Sequence, residues 1–296
     1  MDSYAREKLY QQYRLSKDMF SMLVNICVAT SQIKGLKIPF MDRLLRGNLH
    51  LLIFGNRGLG KSSVLWEITK ALDIVPEQSL TKANLYGTVD KQSGLLNPPA
   101  IWEHRNSILA IDEYEYNNKS PADREVLRAF ISLLENPHFK KRIGYRCNES
   151  EEKDKDLYLK VERTGIEIKT RFSLMMTTMH NPLIMKSQSF RALIDRCLVL
   201  PYTINLFDMN YSIKGETRFE YEHLNVRKGI IEISKKDYIY VVDYCRDKLT
   251  DDEVGIYLRM VGDCLRAFAV LKEHNTVVYD YIIAFKRIYY MEDKMF

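Results

Sequence analysis

Apolar residues fall along the chain in two rhythms. Near the start, Leu9, Tyr10, Tyr13, Leu15, Met19, Leu23, Ile26 and Cys27 recur at helical spacing, which predicts one or two helices over 2–34, broken at Gly35. Four short, nearly continuous apolar runs follow: LHLLIFG at 49–55, SILAID at 107–112, RFSLMMTTMHN at 171–181 and CLVLPY at 197–202. Runs of this length suit strands buried on both faces. SSVLWEITKAL, after the first run, and DREVLRAFISLLE, at 123–135, have helical spacing. Strands alternating with helices predict an α/β fold around a parallel sheet.

Between 138 and 170 the rhythm changes. HFKKRIGYRC and LYLKVERTGIEIK read as strands, and NESEEKDKD between them reads as a solvated turn, so a β-hairpin is expected as an insertion. After about 225 the chain reads as helical again. A capping box from Thr250 to Glu253 opens a stripe through Val254, Leu258, Val261, Leu265 and Phe268, and a further helix is expected after Asn275.

Composition narrows the class. At 296 residues and 46% hydrophobic, the chain is too apolar for general disorder and long enough for one large or two modest domains. The charge of +5 permits a polyanionic partner without arguing for one. Five dispersed cysteines lack a CxxC pair, which disfavours a zinc site or disulfide framework and fits a reducing compartment. The longest nearly apolar run, Met19 to Ala29, is too short to span a bilayer, so a cytoplasmic protein without membrane contact is expected.

The sharpest chemical signal is Gly55-Asn56-Arg57-Gly58-Leu59-Gly60-Lys61-Ser62, followed by Ser63, a full match to GxxxxGK[ST] between an apolar strand and a helix. The glycines let backbone N–H groups converge on phosphate, and the helix N-terminus adds a favourable dipole. In this pattern Lys61 reaches the β/γ-phosphates and the Ser62 hydroxyl ligates Mg²⁺. A second element is Asp112-Glu113 at the C-terminal tip of SILAID, the end of a parallel strand where ligands bind. Asp112 is expected near Mg²⁺, directly or through water, with Glu113 polarising the attacking water.

With these motifs, the chain resembles the AAA+ ATPases, and most closely the ATPase module of minichromosome maintenance (MCM) helicases and the MoxR-like proteins. The resemblance runs from about Arg46 to Lys272. It is carried by RGNLHLLIFGNRGLGKSSVL, by YGTVDKQSGLLNPPAIWEHRNSILAIDEYE, by RTGIEIKTRFSLMMTTMHNP, by ALIDRC and by LRMVGDCLRAF. It implies a P-loop AAA+ core with a parallel sheet and flanking helices over 46–225, a pre-sensor-1 hairpin at about 138–170, a C-terminal helical lid over 226–296, and a helical extension over 1–45. It further implies ATP as the nucleotide, which the phosphate motif alone does not distinguish from GTP. Asn181 would orient the attacking water, Arg196 would act as a finger in a neighbouring subunit's site, and Arg259, or Arg266 two turns later, would be the sensor-2 arginine. A finger acting in trans implies a homo-oligomeric ring, by family expectation a hexamer.

The chain departs from the MCM pattern where nucleic acid would be read. The zinc-bearing N-terminal domain is not in this sequence, and no C-terminal winged helix is evident. The presumed hairpin tip carries Glu149, Glu151, Glu152, Asp154 and Asp156, which a phosphate backbone would repel. Lys140, Lys141, Arg142, Arg146, Lys160 and Arg163 lie on the flanking strands, where they either line a channel for nucleic acid or pair with the acidic turn. A nucleic-acid motor is the favoured expectation; a MoxR-like remodeller of a protein client and an ATP-gated scaffold are the alternatives.

Overall fold

A computed structural model of the chain describes residues 17–38, 43–58, 60–78, 81–114, 116, 120–143, 146–179, 187–202, 229–246 and 254–271. Helix α1 (Lys17–Thr30) leads into strand β1 (Ile33–Ile38), which pairs antiparallel with β2 (Arg43–Leu45). Strand β3 (Leu51–Gly55) passes through the glycine-rich loop into α2 (Lys61–Ala71). Helix α3 (Lys82–Tyr86), the two-stranded ribbon of β4 (Thr88–Val89) and β5 (Leu96–Asn97), and helix α4 (Ala100–Glu103) precede β6 (Ile108–Ile111). Helix α5 (Pro121–Glu135) starts where the Ser120 hydroxyl accepts from Asp123 N and a proline fills the first position, a combination suited to an N-terminus. Strands β7 (His138–Arg142), β8 (Ser150–Asp154), β9 (Leu157–Glu162) and β10 (Gly165–Lys169) follow. The chain continues through β11 (Ser173–Met179), α6 (Gln188–Ile194), β12 (Leu198–Pro201), β13 (Gly229–Glu232), α7 (Lys235–Arg246) and α8 (Val254–Leu271).

The four apolar runs become one parallel sheet in the order β12–β3–β11–β6. Beyond β6 the sheet gains a single parallel bridge, Glu77 to Ile111. Alternate residues serve opposite layers. Leu51 and Ile53 face α1, α2 and α8, while Leu52 and Phe54 face α4, α5 and α6. Both faces are therefore dry, as the continuous apolar runs require. Polar and charged groups gather at the two edges where strands start and end.

Three expectations need correcting. First, the N-terminal helix stops at Thr30, and 33–38 is a strand that pairs in parallel with β13, so the extension before 46 and the segment after 226 share a three-stranded sheet. Gly35 lies inside that strand and does not break a helix. Second, the inserted hairpin is a four-stranded antiparallel sheet, ordered β7–β10–β9–β8. Third, most of the expected acidic turn is the edge strand β8. Its Glu152 and Asp154 stand opposite Leu159 and Leu157, on the inward face, so a charged run follows strand alternation. Glu152 accepts from Trp102 Nε1 (2.9 Å) and Arg105 Nη2 (2.9 Å), and Asp154 accepts from Asn106 Nδ2 (3.1 Å). Asp156 pairs with Lys34 at 3.4 Å. The acidic segment thus clamps the insertion to the edge where β6 and β11 begin. The helices expected before Lys17 and after Asn275, and the capping box at Thr250, lie outside the described residues.

His50 closes that same edge. Its Nδ1 accepts from Leu174 N at 3.0 Å, which leaves the proton on Nε2. Burial, then the nearby Arg46 and Arg266, lower its pKa from 6.5 to about 3. The folded chain holds the neutral ring while the unfolded chain takes up a proton below about 6.5, so stability falls as pH drops from there toward 3. Urea titrations should show a loss of about 1 kcal/mol per pH unit in this window, and His50→Gln should flatten it. Trp102 is 1% exposed beneath the insertion, and Trp102→Ala should lower unfolding free energy by about 3–5 kcal/mol in the same assay at neutral pH.

Candidate active site

The site forms at the edge where β3 and β6 end. At the end of β3 the backbone turns through Asn56 and Arg57 into Gly58 at φ 78° and Gly60 at φ 80°. Both angles lie in the left-handed region that L side chains adopt at a cost. Gly60 is the N-cap of α2, and no side chain caps its first turn. The first N–H groups of α2 therefore remain for a ligand or water. Leu59 lies outside the described residues.

Lys61 is buried at 5% exposure, and its Nζ donates to the Asn56 carbonyl at 2.8 Å, which folds the lysine back across the loop. Burial lowers its pKa, and the carboxylates of Glu113 and Asp112 oppose that shift. Ser62 Oγ lies 3.4 Å from Glu113 Oε1. The residues singled out on two distant segments, Lys61, Ser62, Asp112 and Glu113, thus converge. Ser63 is exposed on the first turn of α2.

Strand β11 joins these halves. It lies between β3 and β6, with Thr177 opposite Ile53 and Met176 opposite Ile111. Thr177 Oγ1 donates to Asp112 Oδ1 at 2.8 Å and accepts from Glu113 N at 2.7 Å, while its carbonyl accepts from Tyr114 N at 2.9 Å. Glu113 is held at φ 49°, a strained angle for a side-chain-bearing residue, and these bonds hold the turn that imposes it. On the other side, Asp112 N donates to the Glu77 carbonyl at 2.9 Å. The second carboxylate oxygen, Asp112 Oδ2, accepts from Trp66 Nε1 at 3.3 Å. Sequence reasoning missed Thr177 and Trp66. Their signals were a polar pair, Thr177-Thr178, inside a buried strand, and a tryptophan one turn after Ser62 on α2.

Two of the expected arginines, Arg196 and Arg266, lie elsewhere. Arg196 sits two residues before Leu198, which is level with Leu51 at the start of β3, so it occupies the opposite edge of the sheet. Four residue steps separate that level from Gly55, roughly 13 Å along β3. Its guanidinium donates to Glu135 and to the Ala192 carbonyl. Arg266 shares that edge, donating to the Arg46 carbonyl at 2.8 Å and to Asp263 at 2.7 Å. Burial draws Arg46 down to about 9; Glu135 opposes the shift, and Arg266 and Arg196 add to it. Arg259 belongs to α8, but its side chain is outside the described residues, as is the whole of Asn181.

The six candidate nucleic-acid contacts divide. Lys140 pairs with Glu162 (2.8 Å) and Glu167 (3.6 Å), and Lys160 with Glu162 (3.1 Å). Lys141 lies with its Nζ 5.3 Å from the Tyr86 ring centroid. Arg142, Arg146 and Arg163 are exposed. Lys140 and Lys160 thus pair with glutamates of their own sheet, while Glu152, Asp154 and Asp156 of the acidic segment pair with the core.

No protein-family model matches the chain, and no curated protein matches it in sequence. Among the described residues no helix is long and apolar enough to cross a membrane, and no group of three or more His, Cys, Asp or Glu is placed to hold a metal ion. The described cysteines Cys27, Cys147, Cys197 and Cys264 are buried and are not joined in disulfides with one another. Because the loop depends on two left-handed glycines, Gly58→Ala and Gly60→Ala should each lower stability by about 1–2 kcal/mol, measured by urea unfolding.

Proposed function

We propose that the chain is an oligomeric ATPase of the AAA+ type, coupling Mg²⁺-dependent ATP hydrolysis to mechanical or switching work. The observation that carries this reading is the convergence of Ser62 on Glu113, 3.4 Å apart, at the mouth of a loop with two left-handed glycines and a buried lysine. The donor set suits magnesium. Ser62 and Asp112 offer hard oxygen ligands, and Mg²⁺ takes few protein oxygens while keeping water and phosphate oxygens in its shell. When bound, the ion neutralises charge on the phosphate oxygens.

Each residue then has a distinct task. Gly55 to Gly60 and the first turn of α2 present backbone N–H groups to the phosphates. Lys61 leaves the Asn56 carbonyl for a phosphate oxygen. Glu113 orients the attacking water and takes its proton. Asn181 assists at that water, as the resemblance implies. Arg196, at the opposite edge, serves the site of a neighbouring copy once released from Glu135, which calls for a ring. Arg259 is the proposed sensor-2 residue, since Arg266 is engaged with Asp263 and Arg46. Catalysis rests on positioning and charge stabilisation, without a covalent intermediate.

Nucleic acid is the proposed client, contacted through the exposed Arg142, Arg146 and Arg163. A protein client is the second reading. It is favoured by the pairing of Lys140 and Lys160 with Glu162, which leaves that face mixed in charge. Filter binding at low salt separates them: replacing the three arginines by glutamate should abolish retention of DNA or RNA if the first reading holds. For the chemistry, calorimetry and phosphate release should show that Lys61→Ala loses nucleotide binding. Glu113→Gln should bind ATP but hydrolyse it about 10²–10⁴-fold more slowly. Equal nucleotide affinity in the wild type and Lys61→Ala would remove the proposal.

A further inference from the structure

We infer that Trp66 and Thr177 are positioning residues for Asp112, one hydrogen-bond donor on each carboxylate oxygen, and that together they set how tightly the site takes a divalent cation. The inference rests on the nucleotide-site reading above and assigns it two residues that lie outside the sequence motif.

The geometry on α2 motivates it. Ser62 and Trp66 are four residues apart, which puts them one above the other on one helix face. That face meets two successive carboxylates, with Ser62 Oγ 3.4 Å from Glu113 and Trp66 Nε1 3.3 Å from Asp112. The neighbouring Leu65 and Ile68 are fully buried, whereas Trp66 remains 44% exposed. A large indole held half in water gains less from burial than its neighbours, while its N–H, a donor with no acceptor capacity, meets the acidic tip of β6. The other oxygen is held by Thr177, which is fully buried and whose hydroxyl is committed in both directions, to Asp112 and from Glu113 N. The carboxylate orientation is thus fixed from α2 and from β11. A cation meeting Asp112 meets it already oriented, and groups that orient a metal ligand strengthen metal binding.

Three variants and two readouts test this. Trp66→Phe keeps an aromatic ring and removes the N–H, Thr177→Val removes the hydroxyl, and Thr177→Ser restores it. Calorimetry with ATP is run in chelator and across a Mg²⁺ titration. Metal-free ATP affinity should stay within about twofold of wild type. The Mg²⁺ concentration for half-maximal tightening should rise about three- to tenfold in Trp66→Phe and about 10–100-fold in Thr177→Val, with Thr177→Ser near wild type. A Mg²⁺ titration of Trp66→Phe superimposable on wild type would overturn the inference, as would an equal loss of affinity with and without metal.

The second readout needs no nucleotide. The chain holds two tryptophans, so its indole N–H resonances in a ¹⁵N correlation spectrum are assigned by Trp66→Phe. The Trp66 resonance should move in Asp112→Asn, and an unmoved resonance would overturn the pairing. If the wild type binds no nucleotide, the ATPase proposal falls, and the indole resonance still decides whether Trp66 holds Asp112.

Discussion

The site depends on where one strand is placed. Ser173–Met179 lies between Leu51–Gly55, which delivers the glycine-rich loop, and Ile108–Ile111, which delivers the acidic pair. Parallel register then puts Thr177 just past the end of Ile111, where its hydroxyl binds the Asp112 carboxylate and the Glu113 N–H together. Without that strand in the middle, the lysine loop and the carboxylates would be adjacent but unlinked. With it, a strained turn at Glu113 is held in place by a side chain that lies far away in sequence. Strain of this kind persists where the surroundings over-determine it, and here they do so from both neighbours of the strand.

Burial of both sheet faces leaves the edges for charge, and the two edges differ in character. The edge where strands end carries the loop, two carboxylates and one buried lysine. The edge where strands begin carries Arg46, Arg196 and Arg266 against Glu135 and Asp263, together with His50. The antiparallel insertion is fastened at this second edge by Glu152, Asp154 and Asp156, through Arg105, Asn106 and Lys34. Negative charge on the insertion therefore does structural work against the core. Its outer face balances Lys140 and Lys160 with Glu162 and Glu167.

Much of this was legible in the sequence, for identifiable reasons. The four central strands read correctly because strands covered on both faces need continuous apolar runs, and such runs are visible without partners. The loop read correctly because a backbone with two left-handed turns demands glycine at fixed spacing. The insertion read poorly. SEEKD looks like a solvated turn when hydropathy alone is considered, and only its antiparallel pairing with Leu157–Val161 gives Glu152 and Asp154 an inward face. Residues 33–38 failed similarly: IKGLKI is short and interrupted by glycine, and its strand partner, Gly229–Glu232, is nearly two hundred residues away. Local propensity carries no record of such a partner.

The sequence by itself determined the α/β alternation, the glycine-rich turn between strand and helix and the pair of carboxylates that ends the second strand, because each is encoded within a short window by backbone and hydropathy requirements. Tertiary structure decided which groups meet. It put Thr177 and Trp66 on Asp112, folded Lys61 onto Asn56, and sent Arg196 and Arg266 to the far edge of the sheet. The physical reason is that strand order and register set these encounters, and they arise from packing two dry faces at once. No window of sequence contains that information.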